Sequence, residues 1–208
     1  MNFYHDERTA LFLDGADLDA TTKALGFHID FKKLLDLFRR ETKLVRATYY
    51  ALVADHQDYA PVRPLVDWLG YNGYVTVSKP AREDMNGSGH RSLVGSIAVE
   101  LAVDAVLLSR NLDHVVLFSG SAEFRSLLAA LQKSGCRVTV VSSRKADEDG
   151  VADELRRQCD QFIELADLRE QIELDAPSVP ADRRRAKAAP ARPRARAQSA
   201  RGGDDAAN

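Results

Sequence analysis

Short apolar runs alternate with amphipathic helical periods along most of this chain. Thr9–Leu13, Val45–Val53, Tyr74–Ser78, His114–Phe118, Arg137–Ser142 and Gln161–Glu164 are aliphatic or aromatic and mostly apolar on both faces. Buried strands of a parallel sheet have that pattern. Between them, Phe31, Leu34, Leu35 and Phe38 follow the i, i+3, i+4, i+7 rule behind an N-cap at Asp30. Val62, Leu65, Val66 and Leu69 repeat it behind Pro61. Phe124, Leu127, Leu128 and Leu131 repeat it again, with Gly135 placed to end the helix. Strict strand–helix alternation predicts an α/β fold, three-layered and doubly wound, whose central, mainly parallel sheet is covered on both sides. Lys79–Ser92, holding Pro80, Gly87 and Gly89, breaks the rhythm and reads as a long mobile loop.

Composition changes this picture mainly at the carboxyl end. The 208 residues suit one domain with an appendage, and 45% hydrophobic with 29% charged residues excludes whole-chain disorder and collagen-like repeats. Residues 175–208 carry eight basic side chains against four acidic ones, a net +4, which leaves −6 on residues 1–174 for an overall −2. This Ala-, Pro- and Arg-rich tail has too few large apolar groups to offset its ordering entropy, so a folded domain over 1–174 and a disordered basic tail over 175–208 are expected. The tail reads either as an arm that contacts phosphates through groups such as Arg183, Arg184 and Arg185, or as a solubilising extension. No apolar run approaches the ~20 residues of a bilayer crossing, and Met1–Arg8 lacks the build of an export signal, so a cytoplasmic protein without a membrane partner is expected. Cys136 and Cys159 are too few for a disulfide framework and read as reduced thiols.

In open sheets of this kind ligands sit beyond the carboxyl ends of the strands, where strand order reverses. The first strand ends in Asp14-Gly15-Ala16-Asp17 and the fourth in Ser119-Gly120-Ser121-Ala122-Glu123. A parallel order 3-2-1-4-5 would make these strands neighbours and turn Asp14 and Glu123 into one crevice. A third carboxylate comes from the preceding helix. At 100° per residue Ile97, Leu101 and Leu108 lie at about 0°, 40° and 20°, and Asp104 at about 340° joins that apolar face. A buried unpaired carboxylate needs a cation, a donor set or a proton. Glu100, at i−4, adds repulsion that a divalent ion would relieve. The alternative, that Asp104 accepts amide hydrogens at a neighbouring helix start, weighs less, because two other acid-bearing strand ends point to the same place.

Phe12-Leu13-Asp14-Gly15-Ala16-Asp17-Leu18, Val99-Glu100-Leu101-Ala102-Val103-Asp104-Ala105 and Leu117-Phe118-Ser119-Gly120-Ser121-Ala122-Glu123-Phe124 resemble, in order and spacing, the three blocks of the NYN domain. The resemblance runs from about Tyr4 to Leu168 and points to the LabA/DUF88 branch, relatives of PIN-type nucleases. It implies a PIN-like α/β/α sandwich and Mg²⁺- or Mn²⁺-dependent cleavage of RNA. Asp14, Asp104 and Glu123 would be metal ligands and catalytic groups, with Asp17, Ser119, Ser121 and Glu100 behind them. Three departures stand out. The helix block lacks the family's Lys and early Asp (Val94-Gly95-Ser96-Ile97-Ala98 here), and Ser-Gly-Asp-x-Asp-Phe has become Ser119-Gly120-Ser121-Ala122-Glu123-Phe124. Replacing two carboxylates with Ala98 and Ser121 removes about two negative charges, which favours one ion over two. Ser121 as a helix cap and Glu123 in a first helical turn also have a purely structural account. Two classes therefore stand: a metal-dependent ribonuclease, and a catalytically inactive relative that binds RNA or regulates a partner. A homodimer is compatible with either.

Other features add less. An aspartate-nucleophile phosphatase would need a second acid at position 16, which is Ala16. Gly87-Ser88-Gly89 is neither a P-loop nor a dinucleotide fingerprint, so no nucleotide cofactor is implied. Lys79 and Arg91, with Arg82 and His90, make the long loop basic and compatible with steering RNA phosphates. Tyr49, Tyr50, Trp68, Tyr71 and Tyr74 read as core more readily than as base-stacking platforms.

Overall fold

The computed structural model describes residues 3–54, 62–85, 91–146 and 150–175. The expected disorder of the tail, and Arg183–Arg185 with it, lie outside these residues. Residues 1–174 form one compact unit. Its elements run β1 (Arg8–Asp14), α1 (Gly15–Leu25), α2 (Phe31–Glu41), β2 (Lys43–Ala54), α3 (Arg63–Tyr71), β3 (Val75–Met85), β4 (Arg91–Val94), α4 (Ala98–Ser109), β5 (His114–Phe118), α5 (Arg125–Lys133), β6 (Arg137–Ser142), α6 (Asp153–Gln158), β7 (Gln161–Glu164) and α7 (Arg169–Ile172). The sheet order is β4-β3-β2-β1-β5-β6-β7. Every neighbouring pair is parallel except β3 with β4. Order therefore reverses between β1 and β5, the arrangement that makes the first and fourth sequence-read strands neighbours.

Strand parity sorts the core into two layers. Leu11, Leu13, Val116 and Phe118 face α1, α2, α3 and α7, whereas Ala10, Phe12, Val115 and Leu117 face α4, α5 and α6. Asp30 caps α2 as the sequence indicates, its carboxylate accepting the amides of Lys32 (2.9 Å) and Lys33 (3.1 Å). Gly135 follows α5 at φ 88°, the left-handed conformation of a helix stop. Pro61 lies outside the described residues. Tyr49, Tyr50 and Tyr74 are core, while Trp68 and Tyr71 are exposed.

The expected loop at Lys79–Ser92 is corrected. Both of its flanks are strand, with Arg82–Met85 pairing antiparallel to Arg91–Val94; residues 86–90 are not described. Pro80 is tolerated because β4 pairs only from Arg82 onward, so at Pro80 β3 is still an edge.

Helix α4 is unusual in being apolar on both sides. Leu101, Ala105 and Ser109 are buried, yet Val99, Val103, Val106 and Leu107 are exposed. Among the described residues no helix is long and apolar enough to cross a membrane.

Candidate functional site

Asp14 is the last residue of β1 and the residue on which α1 begins. Leu13 is in register with Phe118, so the next residue on β5, Ser119, stands beside Asp14 and donates its hydroxyl to Oδ2 at 3.2 Å. Asp17, one turn into α1, reaches across the same seam, and its Oδ2 accepts the Gly120 amide at 2.9 Å. Both strand-end turns need glycine for close approach. A Cβ on Gly15 would stand 2.6 Å from the Tyr49 hydroxyl and 2.7 Å from the Tyr50 carbonyl oxygen, and one on Gly120 would stand 2.7 Å from Ser142 Oγ.

The turn after β5 is held by its own hydroxyls. Ser119 Oγ accepts the Ser121 amide (3.2 Å), and Ser121 Oγ accepts the Glu123 amide (3.3 Å) at the start of a short 3₁₀ turn, Ala122–Phe124. This is the structural role anticipated for Ser121. Glu123 Oε2 in turn accepts the Ser96 hydroxyl at 3.4 Å, and the Ser96 carbonyl accepts Lys79 Nζ at 2.9 Å. Lys79 also pairs with Glu100 at 2.8 Å. The crevice therefore runs Asp14, Ser119, Ser121, Glu123, Ser96, Lys79, Glu100, with a cation at its far end. Ser96, which ties Glu123 to Lys79, has no motif to mark it, and sequence reading passes over it. Burial pushes the Asp14 carboxyl above its usual range and the Glu123 charge adds to this, against the pull of the Asp17 amide, the Ser119 hydroxyl and the Ala16 amide. The Lys79 hydrogen bond holds Glu100 below its usual range.

Asp104 is placed differently from the sequence expectation. It is exposed, and its Oδ2 accepts the Tyr50 hydroxyl at 3.1 Å. The error lies in the reference direction: Ile97 precedes the helix, and the buried arc centres on Leu101, Ala105 and Ser109, leaving Asp104 on its flank. Glu100 likewise meets Lys79, which supplies the opposite charge on its side. Among the described residues no three His, Cys, Asp or Glu side chains gather closely enough to hold a metal ion. Asp14 and Glu123 are the two carboxylates left in the crevice, fewer than the three-acid set that the resemblance implies, and the Lys79 ammonium at its far end is paired with Glu100. Of the loop cations, Arg91 lies in β4 and its side chain is not among those described.

The NYN domain family model matches residues 8–168, a span that contains every one of these positions except the basic tail. The chain belongs to the NYN domain family. This NYN protein is 30% identical over 173 residues to the low amplitude and bright protein LabA of Synechococcus elongatus, covering 82% of this chain and 90% of that one. A solved structure of a protein of unknown function from Vibrio parahaemolyticus superposes with a TM-score of 0.64 at 22% identity, covering 84% of this chain and 100% of the other. At that identity the likeness concerns the fold, and it agrees with the three-layer α/β architecture.

Proposed function

We propose that this NYN protein binds RNA across the carboxyl ends of β1 and β5 without hydrolysing it. One observation carries the reading: each acid of the crevice and its flank already has one carboxylate oxygen engaged by a protein partner. Asp17 holds the Gly120 amide, Glu123 the Ser96 hydroxyl, Glu100 the Lys79 ammonium and Asp104 the Tyr50 hydroxyl. Phosphodiester hydrolysis at an acidic site of this kind needs divalent cations to orient water and to neutralise charge at phosphorus. Family membership supports RNA as the partner, and the eight tail cations supply the electrostatic part of its binding. Within the crevice, phosphate would compete with Glu100 for the Lys79 ammonium, and the Ser119 and Ser121 hydroxyls hold the strand-end turn in shape.

The test uses the full chain and a fluorescent single-stranded RNA in Mg²⁺ and then in Mn²⁺, reading anisotropy for binding and gel mobility for cleavage, with Asp14→Asn alongside. Binding by both proteins with intact RNA is the expected outcome. Cleavage by the native chain that disappears in Asp14→Asn would establish the metal-dependent ribonuclease instead, and absence of binding would remove RNA as the partner.

A further inference from the structure

A cavity of about 240 Å³ opens on the α4 face of the sheet, lined by Phe12, Arg46, Tyr50, Val75, Asp104 and Leu107 among others. It holds about eight water volumes, room for one flat two-ring heterocycle. Phe12, one of its lining residues, lies two residues before Asp14 on β1, about 7 Å along the strand at ~3.3 Å per residue. Part of its lining is apolar: the Tyr50 ring stacks on Phe12 with centroids 6.3 Å apart, and Val75 and Leu107 expose aliphatic surface.

The polar groups inside it are specific and partly unused. Tyr50 donates its hydroxyl to Asp104 Oδ2; among the described residues, Oδ1 has no partner and Arg46 has neither a hydrogen bond nor an ion pair. A carboxylate at the wall disfavours phosphate, and a guanidinium beside it disfavours a simple cation. The set suits a neutral ring that donates twice along one edge and accepts at the next position. Among the four RNA bases guanine does this: N1–H and N2–H₂ can both face one carboxylate while O6 or N7 accepts from arginine. Adenine and cytosine would each turn a ring nitrogen acceptor toward Asp104, and uracil offers a single N3–H between two carbonyl oxygens that the carboxylate repels.

We infer that this cavity is a guanine-recognising pocket, with Asp104 accepting from the base edge, Arg46 donating to it, and Val75 and Leu107 bracketing the ring. The inference deepens the RNA-binding reading and rests on it for the source of the base, since a free guanine nucleotide carries the same edge.

Titration calorimetry of the full chain with guanosine, adenosine, cytidine and uridine monophosphates tests the pocket directly. The guanosine nucleotide is expected to bind about 5- to 150-fold more tightly than the others, the range that one bidentate base contact gives. Asp104→Asn and Arg46→Ala, both at exposed positions, are expected to abolish that preference, and Tyr50→Phe to weaken it, with unchanged circular dichroism. Equal affinity for all four nucleotides, or a preference that survives Asp104→Asn, overturns the pocket. RNA oligomers with and without guanine separate the two readings. Salt-sensitive binding without base preference sinks the pocket and leaves RNA binding standing; guanosine monophosphate preference without oligomer binding keeps the pocket and removes RNA as the source.

Discussion

Two helical glycines are expected to respond to the same substitution with opposite sign. Gly15 opens α1 directly after Asp14, and a methyl group there would meet the ring and hydroxyl of Tyr49 at 2.6 Å and the Tyr50 carbonyl oxygen at 2.7 Å. Neither obstacle can swing aside: one is backbone in a central strand, the other a ring that is 3% exposed. Overpacking of this kind costs about 1–3 kcal/mol, against at most ~1 kcal/mol gained by replacing glycine with alanine in a helix. The clash wins, and Gly15→Ala should lose about 2 kcal/mol. In α3, Gly70 has only Thr76 Oγ1 near it, at 3.9 Å, so Gly70→Ala keeps the propensity gain of up to ~1 kcal/mol with no clash. Urea unfolding of the full chain resolves both through shifts of midpoint at constant m-value. Thermal midpoints should fall by roughly 4–8 °C for Gly15→Ala and rise by about 2–4 °C for Gly70→Ala. A Gly15→Ala protein as stable as the parent would show that the β1–α1 turn has slack, and with it that Asp14 is not rigidly presented.

Further outcomes follow from the same geometry. His114 is buried, with Nε2 2.7 Å from Thr139 Oγ1, and burial, helped by the Arg137 charge, holds its imidazole pKa down to about 3. The unfolded chain takes up that proton near pH 6.5, so stability is full above 6.5 and should fall by up to about 1.4 kcal/mol per pH unit below it. Urea midpoints at pH 7 and pH 5 measure this, and the same slope in His114→Asn would disprove the assignment. The double substitution Ala98→Asp with Ser121→Asp should raise Mn²⁺ affinity on the order of tenfold, about 1.4 kcal/mol, by calorimetry; no gain would mean that these positions do not complete the crevice. Ending the chain after Leu174 should lower the salt slope of single-stranded RNA binding by about 0.7 for each tail cation that contacts a phosphate, and an unchanged slope would exclude the tail from the interface.

Most of the architecture was legible because buried strands and half-buried helices carry different periods. The β1–β5 seam is the case in which the strand order is 3-2-1-4-5, which alternation allows without fixing, and Ser119 enters the site through the family resemblance. Helix α1 was harder to read, because its buried positions, Gly15, Leu18, Thr21 and Thr22, are mostly not large apolar residues. The β3–β4 pairing was hidden by Pro80, which marks a loop unless the late start of β4 is known. Asp104 was misdirected by one residue of helix start, since Ile97 belongs to the turn before α4. Its partner could have been found: Arg46, Thr48 and Tyr50 alternate along β2 and must share a face with Phe12. What no pattern reveals is the Lys79–Ser96–Glu123 link, which joins three segments distant in sequence.

The outward valines of α4 have a consequence for how any binding curve should be read. Leu107 belongs both to that apolar stripe and to the cavity lining, so a partner seated over Leu107 and a ligand in the cavity would contend for the same side chain. Any partner that covered Leu107 would therefore lower the apparent affinity for a heterocycle.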